Sequence, residues 1–167
     1  MEELRAVTRY AAACARDVLA LFEAAQPEDS RPRDAIEVAA AFARGGPRGK
    51  RLRDVAWAAL RAARETNRPA AAEAARAAMA AAGAAYLHPL ANAHQVKHIL
   101  GSAAHAARAA ELAAGDDRAV GGTHLVRARK RASTSVIAVL KRYPAAPPGG
   151  GRVGELIRDL DVALRGA

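Results

Sequence analysis

Aromatic side chains make up only 4% of this chain, cysteine and tryptophan each occur once, and no long apolar run is present. Each scarcity excludes something. So few rings leave little surface for stacking single-stranded bases. The lone Cys14 rules out a disulfide framework within the chain, and its apolar helical setting reads as a small core hydrophobe rather than a nucleophile or ligand. Nowhere do about 18 apolar residues run together, and the opening MEELRAVTRY lacks the uninterrupted apolar core of a secretion signal. A cytoplasmic protein without a membrane partner is the expectation.

Catalytic signatures are also scarce. Carboxylates are scattered along charged faces and helix starts, without the acidic cluster that two-metal chemistry needs. Ser133 and Ser135 fall inside a helical pattern with no GxSxG turn around them. GGPRG, from Gly45 to Gly49, follows no strand and lacks the order of a phosphate loop. Enzymatic activity is therefore the less favoured reading.

What is abundant is alanine and arginine. The formal charge is +9, with lysine only at Lys50, Lys97, Lys130 and Lys141. Such a balance points to nucleic acid or an acidic partner. Alanine, glycine, proline and arginine all have G+C-rich codons, which discounts part of that excess.

Apolar residues recur three and four apart through most of the 167 residues, a length suited to one domain. Leu4, Val7, Ala11, Cys14, Val18 and Leu21 predict a first helix from Glu3 to Ala25. A second, capped by Asp29 or Ser30 with Pro32 in its first turn, carries Ile36, Ala39, Ala40 and Ala43 inward and Phe42 at the edge. A third runs from Pro47 to Thr66 around Leu52, Val55, Ala59 and Ala63, and an alanine-rich fourth from Asn67 to about Ala85. Pro89 interrupts the pattern before a fifth helix from Asn92 to Gly115. Gly115 to Gly122 reads as a link, Thr123 to Tyr143 as a sixth helix, and Val153 to Leu164 as a short last one. The expected fold is all-α, a compact irregular bundle of about six to seven helices without a sheet. Residues 1–143 form the expected core domain, 144–151 a Pro/Gly linker, and 152–167 a terminal helix packed on the same domain.

Three groups of residues are candidates for function. In a continuous helix, at about 100° per residue, His94, His98 and His105 gather on one side. His94 and His98, four apart, have the spacing to share a divalent ion such as zinc, although the glutamate of the metalloprotease motif is missing. The same row, near Trp57, reads alternatively as the lining of a small-molecule pocket or as hydrogen-bonded groove residues. Trp57 itself lies off the buried stripe, either as an edge packing residue or as a partner anchor. The basic runs holding Arg48, Lys50, Arg51, Arg127 and Arg131 would bind phosphates if their helices were neighbours. Alanine-rich faces could also seal a homodimer.

Cys14, Ala15, Arg16, Val18, Leu19, Phe22 and Glu23, followed by Pro27, Asp29, Arg31, Pro32, Arg33, Ala35 and Ile36, form a first block. Ala93, His94, His98, Gly101, Ala103, Ala104, Ala106 and Ala107 form a second. Together they resemble the Imm-5-like putative immunity proteins, small helical bacterial proteins frequent in actinobacteria. The resemblance covers about two-thirds of the chain, to Gly121, and His105 stands where that pattern has tyrosine. It implies neutralisation of a partner toxin or effector by tight binding and brings no catalytic residues. Asp29, Arg31 and Arg33 then have two readings. They lock the second helix against the first through Asp17, Glu23 or Asp34, or they recognise an acidic group on a partner.

Overall fold

The three-and-four spacing becomes helix throughout the computed structural model, which describes residues 1–166. Among these residues there are nine α-helices and no strand. They are α1 (Glu2–Arg16), α2 (Leu19–Ala25), α3 (Arg31–Ala43), α4 (Lys50–Glu65), α5 (Pro69–Gly83), α6 (Val96–Ala113), α7 (Arg118–Arg131), α8 (Thr134–Lys141) and α9 (Gly151–Arg165). Short 3-10 turns at Ala84–Tyr86 and Ala93–Gln95 flank the interruption around Pro89.

The all-helical expectation holds, but the count of six to seven does not, because two expected helices are each broken. The first breaks at Val18, whose ψ of 3° leaves the helical range. There the Asp17 carboxylate turns outward to a bidentate pair with Arg131, at 2.8 and 3.1 Å. The expected sixth helix breaks at Ser133, whose hydroxyl caps α8 by accepting the Val136 N–H. Ser133 is thus a cap, not an interior residue.

The centre of the bundle is the alanine-rich α5, packed against α3, α4 and α6. Ala71, Ala74, Ala75, Ala77, Ala78, Ala81 and Ala82 are buried along it, and side chains this small let neighbouring helices approach closely. One polar group ties three helices at that crossing. The Ser102 hydroxyl on α6 lies 2.7 Å from the Ala11 carbonyl of α1 and 3.0 Å from the Ala77 carbonyl of α5, so its proton always has a buried acceptor. Phe42, expected at an edge, is fully buried instead. Arg5 explains the difference: its guanidinium covers the ring at 5.1 Å and donates to the Phe42 carbonyl at 2.7 Å.

The span from Gly115 to Gly122, expected as a link, enters helix at Arg118, because Asp117 accepts the Ala119 N–H at 2.9 Å as a cap. Gly121 is there for packing, not for flexibility. It faces Glu111 of α6, a fully buried carboxylate held by Arg108 at 2.9 Å and Arg152 at 2.6 Å. Burial pushes the Glu111 carboxyl up, but the hydrogen bonds from Arg152 and Arg108 outweigh it and hold the group below its ordinary range.

Residues 144–151 are pinned to α9. Buried Asp161 accepts the Ala146 N–H at 2.9 Å, and Arg158 donates to the Gly149 carbonyl at 2.7 Å. α9 in turn packs on α6, α7 and α8, with Leu160 and Leu164 in the main core.

Candidate functional site

The three histidines have different surroundings. His94 sits in the Ala93–Gln95 turn, before α6 begins, so the four-residue spacing to His98 no longer belongs to one continuous α-helix. It borders a cleft of about 240 Å³ with Lys97, Pro147, Pro148 and Ile157, and neither His98 nor His105 lines that cleft. His105 instead meets Glu73 of α5 at 2.6 Å, while Arg76 takes the other carboxylate oxygen at 2.7 Å. Burial pushes the Glu73 carboxyl up, and the contacts with His105 and Arg76 reverse this and hold it low. Among the described residues no group of three His, Cys, Asp or Glu side chains is placed to hold a metal ion.

Half-buried His98 and His124 give the fold a defined pH response. Burial, aided by Lys97 beside His98 and Arg127 beside His124, holds both imidazoles below their ordinary value. The unfolded chain therefore binds protons that the folded one refuses, and stability falls as pH drops below about 6.5. A second loss follows below about pH 4.5, where Glu73 and Glu111, held low by their partners, must be protonated. Melting temperatures measured between pH 8 and pH 3 should show both steps. A flat response between pH 7 and pH 5 would contradict the histidine assignment.

Asp29 and Arg31 form a clamp at the start of α3. Asp29 accepts the Arg31 backbone N–H at 3.1 Å and its Nε and Nη2 at 2.9 and 2.6 Å, and Arg31 Nη2 continues to Glu65 at the end of α4, at 2.5 Å. Ser30 occupies the N-cap position but its hydroxyl donates to Asp34, so the first backbone N–H of α3 is taken by the Asp29 carboxylate instead. Hydrogen bonding from Arg31 holds the Asp29 carboxyl below its usual range. Arg33 pairs with Glu23 of α2. Both arginines therefore have partners inside the chain. Arg31→Ala keeps the backbone N–H that Asp29 accepts but removes the guanidinium pairs to Asp29 and Glu65, and should lower stability by up to about 1 kcal/mol, the order of a partly exposed ion pair, with no partner present. An unchanged melting temperature would return Arg31 to the recognition reading.

The helices that carry most of the two basic runs do not pack closely on each other, although the ends of the runs meet, Arg44 and Arg131 lining one cleft with Arg9 and Arg16. α4 packs mainly on α3 and α5, whereas α7 packs mainly on α6 and α9. Lys50 pairs with Asp54 at 2.8 Å, Arg131 is taken by Asp17, and Arg48, Arg51 and Arg127 are exposed. Arg131 also approaches the buried Cys14 thiol, at 3.7 Å; burial nevertheless pushes that thiol up to about 11, so it stays protonated.

Trp57 provides the clearest surface feature. It is 60% exposed on the outer side of α4, so most of its surface is not used in packing within the chain. At about 100° per residue, Lys50, Arg53, Arg61 and Arg64 all fall within about 40° of it, giving a basic stripe about 20 Å long with a tryptophan in its middle. Arg53 is steadied over the Tyr86 ring at 5.6 Å, and Tyr86 donates to the Gly49 carbonyl at 2.8 Å. Arg53 falls in the contiguous basic run PRGKRLR, whereas Arg61 and Arg64 lie outside both runs, and their signal is helical spacing from Trp57.

A family model described as Imm-5 like putative immunity protein matches residues 2–133 of the 167. The chain belongs to this family. The Imm-5 like segment spans α1 to α7 and ends at Ser133, the cap of α8, so it runs beyond the Gly121 limit of the resemblance. It contains the Asp29 clamp, the Glu73–His105 pair and the whole Trp57 stripe, while α8 and α9 lie outside it. No curated protein and no solved structure matches the chain. No helix among the described residues is long and apolar enough to cross a membrane.

Proposed function

We propose that this protein neutralises a protein toxin or effector by binding it tightly, without catalysis. The observation that carries this reading is Trp57, the sole tryptophan of the chain, left 60% exposed on a helix whose other large side chains turn inward or carry charge. Tryptophan and arginine dominate the energetics of protein interfaces because they bury a large surface and retain directional polar groups. An exposed tryptophan gains that burial only when a partner covers it. Membership of an immunity-like family supports the same reading.

The test is capture of partners from nuclease-treated lysate of the producing cells, followed by co-expression. One protein retained in stoichiometric amount is expected, toxic when expressed alone and harmless when this chain is present. Retention of only nucleic acid, metal or a small molecule would overturn the proposal, as would a retained protein whose toxicity is unaffected.

A further inference from the structure

On the reading that this protein acts by binding another, we propose that the outer face of α4 is its docking surface and that the partner presents an acidic face with an apolar pocket for Trp57. Charge complementarity selects the occupant. Within about 40° of Trp57 the helix displays four cations, Lys50, Arg53, Arg61 and Arg64. The carboxylates bordering the stripe do not cancel them all. Asp54 is engaged by Lys50 and Glu65 by Arg31, with Arg61 a more distant electrostatic neighbour of Glu65, so neither Arg61 nor Arg64 forms a salt bridge among the described residues. A surface of this kind attracts carboxylates and repels a basic partner.

A nucleic-acid occupant fits less well. One tryptophan is too few for successive base stacking, and Asp54 and Glu65 edge the path a phosphate backbone would follow. The other basic run sits on α7, which does not pack beside α4 to widen the stripe into a groove. A partner with carboxylates spaced along about 20 Å and one apolar recess satisfies every group on the face.

Because Trp57 is the only tryptophan, its fluorescence reports on this face alone. The experiment titrates the full chain with a synthetic amphipathic peptide of about 20 residues bearing glutamates and leucines, with the same peptide carrying lysine for glutamate, and with an oligonucleotide of equal charge. Blue-shifted Trp57 emission with the acidic peptide only is expected. Binding should weaken about tenfold or more in Arg61→Ala/Arg64→Ala and with rising salt, and stay unchanged in Arg127→Ala/Arg129→Ala. No response to the acidic peptide, or an equal response to the oligonucleotide, overturns the proposal. The same variants in the co-expression assay separate the two levels. Full protection by Arg61→Ala/Arg64→Ala would remove the α4 surface while leaving neutralisation by binding intact, and a peptide response without any neutralised toxin would do the reverse.

Discussion

Gly121→Ala is expected to destabilise the protein by about 2–4 kcal/mol, although alanine ordinarily improves a helix interior. A Cβ at this position would overlap the Glu111 carboxylate, the far end of a side chain with no room to move. Glu111 is fully buried, and its oxygens are occupied by Arg108 and by two nitrogens of Arg152. Moving it would break a buried network that joins α6, α7 and α9, and losing one member of such a network costs far more than the network adds over an apolar core. Coupling is the diagnostic. In a Glu111→Ala background the obstruction is gone, so Gly121→Ala should then cost little or even stabilise. Denaturant unfolding of the two single variants and the double variant measures this, and additive losses would contradict the contact.

Trp57→Ala should do the opposite, leaving the fold nearly intact while weakening partner binding about 30-fold or more, the scale of an interface hot spot. The side chain is 60% exposed, so little core surface is lost with it. A melting temperature within about 2 °C of the parent, with affinity reduced as stated, is the expected pair of results. A large drop in melting temperature would return Trp57 to packing. Unchanged affinity would remove it from the interface.

Much of this architecture is legible in the sequence, because helix formation here follows apolar spacing. Val7, Ala11, Cys14 and Val18, then Leu156, Leu160 and Leu164, are buried as their periods require. What the spacing does not reveal are features set by distant contacts. The break at Val18 has no proline or glycine to mark it; it accompanies the reach of Asp17 to Arg131, 114 residues away. Gly121 and Gly122 resemble a linker until Glu111 is seen against the first of them. A single histidine row requires one continuous helix, whereas the 3-10 turn at Ala93–Gln95 places His94 just outside α6 and Glu73 pairs with His105. The basic stripe was present in the sequence but divided by its periodicity. Arg53, Arg61 and Arg64 are separated along the chain and adjacent only on the helix surface.

Amide hydrogen exchange, on the protein alone and in complex with the partner it neutralises, is the most direct test of binding through α4. Slowed exchange centred on residues 50–65, with α7 and the cleft at His94 unchanged, is the expected result. Protection centred on α7 or on that cleft, with α4 exchanging as in the free protein, would contradict it.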